Sequence, residues 1–481
     1  MVFFCTPLII RNLGDTNYGI YVILGTIGGI LSIANLGMGD ATLKYVAQYV
    51  ATDDRHEIQK VFTSTFLIYA VLGGLITFLL CSSPDIFLRV LKIDRFDGAS
   101  QLFRITVLTF WIHLINGCFT AVPQAVQRYE FCTCVSILQS VLQFAAVLIV
   151  VNFEYGMLGL IFAIFLNAAV ILAVNIVIAR RLMPFIKFRW PGLEGFKRVL
   201  SYGVTILGSR MIGLLWQHSD NIILTAFIGP HAVSYFSVPM QTVGKGFDLI
   251  TSGSAVLFPR FSELSANYDE NREKIKELYI KATQVGLFAS IIMCVPLAVM
   301  LPDFLRLWIS ADFAEKAALV ATILASSYIV RGAFLSYDVL FKGLGYPRYN
   351  LYCTLASSVC IFVIDIIMIP LFGLKGAGIS YVVSSSVGVV AVLLVFRRFL
   401  HISMKLFWRD VVVPYCISIL LLTFFLYLKS HFFNYRCGWG VFLASSALIF
   451  IINFISVFAF SKLLGVNLPS FRFFKLRKSN T

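Results

Sequence analysis

The chain has 481 residues, of which 59% are hydrophobic and 13% charged, with a mean hydropathy of +0.86. Charged content is about half the ~25% usual for soluble proteins, which excludes a string of soluble globular domains. The formal net charge of +15 does not point to nucleic acid either, because the basic residues lie in short loops between apolar runs.

Measured against the ~20 apolar residues that one span requires, fourteen runs qualify as membrane segments. They cover approximately 1–10, 18–43, 61–82, 104–122, 131–151, 156–179, 199–228, 232–258, 279–301, 317–341, 349–371, 374–396, 411–428 and 439–461. The first is only half a span and has neither a basic beginning nor a small-residue cleavage site, so a signal peptide is not expected. The expectation is instead that the chain as given begins inside its first helix. This predicts an all-α integral membrane protein of about 14 transmembrane helices with the first one truncated. In the fourth run, His113 beside Trp111, Asn116 and Thr120 reads as a core or interfacial histidine rather than a proton relay. Cys132 and Cys134 lack metal-site spacing and read as packing residues.

The chain repeats itself. Leu13-Gly14 followed by Ile20-Tyr21 returns as Ile228-Gly229 followed by Tyr235-Phe236, an offset of 215 residues. Pro84-Asp85 returns as Pro302-Asp303 at 218, and Gly156-Met157-Leu158-Gly159 as Gly373-Leu374-Lys375-Gly376 at 217. Three matches in one order at nearly one offset indicate duplication, with the halves dividing near residue 190. The expected organisation is an N-terminal bundle over 1–183, a basic cytoplasmic linker over 184–198 and a second bundle over 199–398. Helices 13 and 14 over 399–461 and a basic cytoplasmic tail over 462–481 follow. Residues 266–281 carry mixed charges at helical spacing and read as a solvated helix.

Lysine and arginine counts orient these segments. If the even-numbered connections and the C-terminal tail are cytoplasmic, that side holds 26 basic residues and the other side 10. The bias predicts both termini in the cytoplasm. Arg210, Lys245 and Arg331 remain, and all three lie within apolar runs of the second half.

Charged groups in hydrocarbon normally face a protein interior or a water-filled cavity. In the seventh run Arg210, Gln217 and Asp220 or Asn221 share a helix face, and in the eighth Gln241, Lys245, Asp248 and Ser252 form a polar stripe. Arg331 and Asp338 are seven residues apart in the tenth, and Asp365 lies deep in the eleventh. The three cations are expected to line a positive cavity suited to phosphate or an acidic sugar, Arg by bidentate contact and Lys as a point charge. Asp220, Asp248, Asp338 and Asp365 are candidates for ion coupling, as H+ or Na+ sites, or for pairing. Gln217, Asn221 and Gln241 would supply polar lining. The competing reading is structural: internal ion pairs such as Lys245 with Asp248, or long side chains reaching an interface. No phosphate-binding glycine loop, His-Glu-x-x-His or membrane-adjacent Asp-x-Asp motif is present, so the chain does not read as an enzyme and no cofactor is expected. Transport energy would come from an ion gradient, the membrane potential or the substrate gradient.

Thr6-Pro7-Leu8-Ile9-Ile10-Arg11-Asn12-Leu13-Gly14, Tyr18-Gly19-Ile20-Tyr21 and Asn35-Leu36-Gly37-Met38-Gly39 resemble the opening of bacterial polysaccharide flippases of the Wzx (O-antigen translocase) type. These belong to the multidrug, oligosaccharidyl-lipid and polysaccharide exporter (MOP) superfamily. Asp220-Asn221-Ile222-Ile223-Leu224 running into Ile228-Gly229 is similar to that family's seventh-helix pattern. The resemblance implies two six-helix bundles around a central cavity, two additional C-terminal helices and alternating access. It also implies a polyprenyl-pyrophosphate-linked oligosaccharide, such as an O-antigen repeat unit, carried from the cytoplasmic to the periplasmic leaflet of the bacterial inner membrane. Membrane lipids, a polysaccharide polymerase and assembly proteins would be partners, and nucleic acid would not. A peptidoglycan-precursor flippase and a cation-coupled drug or metabolite exporter of the same superfamily are the alternatives.

Overall fold

The computed structural model describes residues 2–90, 93, 96, 98–186, 190–255, 257–265, 268–332, 335–432 and 438–463. Every regular element among them is helical. The chain forms two compact units, Met1–Ser234 and Tyr235–Thr481. The first contains α1 (Val2–Leu13), α2 (Asp15–Leu31), α3 (Met38–Ala51), α4 (Arg55–Ser82), α5 (Pro84–Val90), α6 (Ala99–Ala125), α7 (Tyr129–Asn152), α8 (Gly156–Leu182) and α9 (Gly192–Phe227). The division falls in the first turns of α10 (Pro230–Ala255). The second unit continues with α11 (Phe258–Ser265), α12 (Tyr268–Trp308), α13 (Ala311–Arg331), α14 (Leu335–Gly343), α15 (Pro347–Phe372), α16 (Leu374–Leu394), α17 (Met404–Phe407), α18 (Val413–Phe432) and α19 (Trp439–Leu463).

Among the described residues the fourteen apolar runs are mostly helical, and ten of the described helices are long and apolar enough to cross a bilayer. Local chemistry decides where they start and stop. Asp54 caps α4 by accepting from the Glu57 backbone N–H at 3.1 Å, and Ser310 caps α13 through the Phe313 N–H at 3.2 Å. The run 18–43 is not one helix: α2 passes into a 3-10 turn, Ser32–Asn35, and then Leu36 (φ 48°) and Gly37 (φ 68°) turn the backbone left-handed. An L-residue helix cannot continue through that conformation, so α3 begins anew at Met38. The run 317–341 is covered by α13 and α14, and residues 333–334 between them lie outside the described ones.

The repeated sequence positions share backbone geometry. Gly14 and Gly229 both have positive φ (88° and 120°), as do Gly156 and Gly373 (64° and 62°). At an offset of 218, Thr65 and Thr283 each bond back to the carbonyl four residues earlier, and each shares a buried hydroxyl–hydroxyl bond, with Thr42 at 2.6 Å and with Ser336 at 2.7 Å. Helix packing follows the same scheme twice: α4 on α6, α6 on α8 and α7 on α8 in the first unit, α12 on α13, α13 on α16 and α15 on α16 in the second.

The first unit's core gathers Met38, Phe62, Tyr69, Phe110, Leu114 and Cys118, with the Phe62 and Phe119 rings edge to face at 5.3 Å. Here α9 packs against α2, α3 and α4. Both α9 and the start of α10 approach α2 closely: a Cβ on Gly19 would stand 1.9 Å from the Pro230 carbonyl oxygen, and one on Gly29 would stand 2.3 Å from His218 Nε2. Asn221 Nδ2 donates to Thr26 Oγ1 at 3.0 Å, and Ser234 Oγ donates to the Asp15 carbonyl at 2.6 Å. This packing moves the compact boundary past Ser234, beyond the expected linker at 184–198. Residues 187–189 of that linker and 464–481 of the expected tail lie outside the described residues.

In the second unit Phe261, Ile275, Tyr279, Leu340, Val392 and Leu400 form a core beneath α11, α12, α14 and the end of α16. The longest helix is α12, with 41 residues. At 1.5 Å per residue it runs ~60 Å, twice the ~30 Å hydrocarbon thickness. Its first turns carry the pairs Glu273–Lys276 (2.6 Å) and Glu277–Lys281 (2.5 Å), as the sequence pattern of a solvated helix predicts. The remainder receives both C-terminal helices. Lys429 on α18 pairs with Asp303 at 2.5 Å and donates to the Val299 carbonyl at 2.7 Å, while Asn453 on α19 donates to the Ile291 and Ile292 carbonyls at 3.2 Å each.

Candidate functional site

The sequence-selected residues divide between the two units. Arg210, Gln217, Asp220 and Asn221 stand on α9, and the side chains of Arg210 and Gln217 lie outside the described ones. Asp220 is buried, at 3% exposure, beside buried Ser219. Asn221 faces α2, where its amide holds Thr26. Asp220 therefore sits in the same packed stretch as His218, a residue the sequence reading passed over. His218 is visible only once Gly29 is known to lie opposite it, because a histidine next to an aspartate carries no periodic signal of its own.

Gln241, Lys245 and Asp248 follow one another on an exposed face of α10. Lys245 Nζ approaches Asp248 Oδ2 at 3.4 Å, with side-chain exposures of 71% and 64%. Ser252 Oγ donates to the Asp248 carbonyl at 2.7 Å, so the stripe is continuous. Such an exposed pair is weakly bound and leaves the ammonium accessible to another anion.

Arg331 ends α13 and is half-buried. Its guanidinium carbon lies 4.8 Å from the Tyr328 ring centroid and 5.8 Å from that of Phe247 on α10. Those two rings are buried and meet edge to face at 5.0 Å, and Tyr328 Oη donates to Met240 Sδ at 3.7 Å. The α10–α13 contact thus brings Arg331 to the helix that bears Lys245 and Asp248. Asp338 on α14 pairs with Lys342 at 2.8 Å. Asp365 is fully buried in the middle of α15.

Comparison with known proteins places this arrangement. The family model described as "polysaccharide biosynthesis protein" matches residues 1–265, more than half of the chain. The chain belongs to the polysaccharide biosynthesis protein family. It is 20% identical over 389 residues to a putative O-antigen transporter of Shigella flexneri, covering 77% of this chain and 87% of that protein. It is also 24% identical over 206 residues to the capsular polysaccharide biosynthesis protein CapF of Staphylococcus aureus, covering 42% of this chain and half of that one. Among solved structures, an inward closed form of the lipid II flippase MurJ superposes with a TM-score of 0.78 over 96% of both chains at 13% identity. An inward-facing MATE multidrug transporter of the MOP superfamily superposes with a TM-score of 0.70 at 17% identity, covering 82% of this chain and 93% of that one. The fold is that of MOP-superfamily transporters, and this member of the polysaccharide biosynthesis protein family is a multi-pass membrane protein.

Proposed function

We propose that the protein flips a polyprenyl-pyrophosphate-linked oligosaccharide, an O-antigen or related polysaccharide repeat unit, from the cytoplasmic to the periplasmic leaflet of the bacterial inner membrane. The observation that carries this reading is the cationic pairing of α10 and α13, in which Arg331 is fixed against Tyr328 of its own helix and against Phe247 on α10, the helix whose exposed face carries Lys245. A pyrophosphate presents several anionic oxygens that a guanidinium can grip in bidentate fashion and an ammonium can neutralise as a point charge. The polyprenyl tail needs no polar site and stays in the bilayer. Arg210 is proposed as a further cation for the cargo, and Gln217, Asn221 and Gln241 as polar groups that assist it. Kinship to a putative O-antigen transporter over most of both chains supports a glycan cargo over a drug.

In this reading Asp220 and Asp365 are the coupling carboxylates. Each is buried in an apolar helix, where taking up H+ or Na+ lowers the cost of a buried charge. Asp248 and Asp338 pair with neighbouring lysines and tune the local potential. Both termini lie in the cytoplasm, and a polysaccharide polymerase and assembly proteins receive the flipped product.

The test is complementation of a strain lacking its O-antigen flippase, scored by surface glycan per unit of membrane protein. The expected result is restored display by the wild-type chain and a loss of tenfold or more in the triple variant Arg210→Gln, Lys245→Gln, Arg331→Gln at normal abundance. Full display by the triple variant overturns the cationic site. Rescue of a strain lacking its lipid II flippase, with no glycan display in the first strain, reassigns the cargo.

A further inference from the structure

The end of the second unit where α14, α15 and α16 meet carries a cluster of aromatic rings with no part in the cargo site. We propose that it is a docking surface for anionic phospholipid, on which Tyr346 and Tyr349 sit among the headgroups while Arg348, Arg397 and Lys405 meet the phosphates. The proposal stands apart from the reading of Arg331 and Lys245.

Two backbone irregularities build the cluster. Gly345, with a φ of 77°, lets the chain leave α14 and enter α15 within a few residues. At its far end α16 runs into a π-helical turn, Val395–Phe399, an irregularity that recurs at functional sites. Four rings meet there. Phe341 stacks on Tyr349 and stands edge to face with Phe399, each at 5.2 Å, and Tyr346 lies edge to face with Tyr349 at 6.2 Å and with Phe399 at 6.1 Å. Phe341 is buried, but Tyr346 and Tyr349 are 51% and 48% exposed. Packing alone does not account for two tyrosines held in place with half their surface outside. The core beneath sets their depth. Phe341 and Phe399 pack with Ile275 and Tyr279, where α12 passes from its charged first turns, with Glu273–Lys276 and Glu277–Lys281, into its apolar length. The rings therefore stand where water gives way to hydrocarbon, a level that suits an apolar ring with a polar hydroxyl. The charge around them has one sign: residues 342–350 and 395–405 hold Lys342, Arg348, Arg397, Arg398 and Lys405 and no carboxylate. Arg348, Arg397 and Lys405 are exposed, and Lys342 pairs with Asp338. Glu263, Glu273 and Glu277, on α11 and α12, are matched by cations of their own helices. Basic residues at this depth attract anionic lipid. The exposed face of α15 decides for a lipid over a soluble acidic partner. Tyr349, Tyr352, Leu355, Val359, Phe362 and Ile366 are all exposed and follow helical spacing, an apolar stripe of ~26 Å at 1.5 Å per residue. That is longer than one leaflet's ~15 Å share of the hydrocarbon. A headgroup on the tyrosines and cations thus has an acyl track directly beneath it.

The experiment counts lipids bound to the full-length protein in detergent by native mass spectrometry, as phosphatidylglycerol or phosphatidylcholine with the same acyl chains is added. The expected result is tighter binding of phosphatidylglycerol by the wild type, and a loss of roughly fivefold in its affinity for each charge removed by Arg348→Gln, Arg397→Gln and Lys405→Gln. Phosphatidylcholine binding stays as it was. Tyr346→Phe with Tyr349→Phe keeps both rings and deletes the hydroxyls, and weakens phosphatidylglycerol by roughly two- to tenfold. Arg180→Gln, Arg181→Gln and Lys197→Gln remove the same charge from exposed positions of the first unit and leave the tightest phosphatidylglycerol site intact. Equal losses in the two triple variants overturn the proposal, since attraction then follows total charge and not this surface. Equal affinity of the wild type for the two lipids overturns it too, and unchanged phosphatidylglycerol binding in the double Phe variant removes the tyrosines from it. Farnesyl diphosphate that binds more tightly than phosphatidylglycerol, and is lost in the Arg348, Arg397 and Lys405 variant, overturns the lipid assignment and gives the surface to the cargo.

Discussion

A charge in an apolar helix has a different meaning according to what surrounds it, and two of the lysine–aspartate pairs in the second unit make the contrast measurable. Lys429 and Asp303 are only 19% and 13% exposed, and they meet at 2.5 Å where α18 rests on α12. Removing one partner strands the other in a dry contact. Lys429→Met should therefore destabilise the protein by about 3 kcal/mol, and adding Asp303→Leu should recover most of it. Unfolding followed in detergent by intrinsic fluorescence checks both, and a single variant as stable as the wild type refutes the structural role. Lys245 and Asp248 are 71% and 64% exposed and lie 3.4 Å apart. Lys245→Gln should shift stability by less than about 1 kcal/mol in the same assay, so that any loss of transport in this variant reflects lost charge rather than lost fold. The sequence alone ranks these two pairs the wrong way round for stability. Lys245 falls three residues before its partner in a visible stripe, whereas Lys429 and Asp303 are separated by 126 positions and read as loop residues near helix ends.

Helices pack at distances set by the smallest residues between them, and the seam between α2 and the start of α10 shows which glycines set that distance. Gly19 has the Pro230 carbonyl 1.9 Å from where its Cβ would be, whereas Gly25 on the same helix has nothing within 4 Å. Gly19→Ala should cost about 1–3 kcal/mol by forcing the backbones apart. Gly25→Ala should be neutral or slightly stabilising, since alanine favours helix over glycine by ~1 kcal/mol. Melting temperatures of the two variants, measured side by side, check the assignment, and an equal response would show that the seam is not packed through Gly19. The helices themselves are legible in the sequence, because apolar runs of twenty residues have few alternatives in a membrane. Their breaks are less so. The left-handed Leu36-Gly37 step divides an otherwise unbroken run, and only Gly37 signals it. The pairing of α9 with α2 could not be read either, since Gly19 and Gly29 look like any other glycines until a partner is known. The same holds for the aromatic brace of Arg331: Phe247 and Tyr328 are 81 positions apart and come from helices whose apolar patterns are unexceptional. The grouping of Arg331 with Asp338 assumes one continuous helix, and residues 333–334 between them lie outside the described ones.

For the whole molecule, the uneven distribution of lysine and arginine predicts orientation. A reporter active only in the periplasm should be active when fused after Glu154 or Lys316 and silent after Arg189 or Lys478. The opposite pattern would reverse the proposed direction of transport. The duplicated halves have a further consequence. Helices α4 and α12 occupy matching places in the repeat, through Thr65 and Thr283, yet the apolar window of α4 is 28% buried within the protein and that of α12 is 67%. The difference arises because α12 alone receives α18 and α19, through Asp303, Val299, Ile291 and Ile292. Descended from one ancestral segment, the two helices now live under unequal constraint: a population of random variants should lose viable members across most faces of α12, while α4 keeps at least one side free to drift.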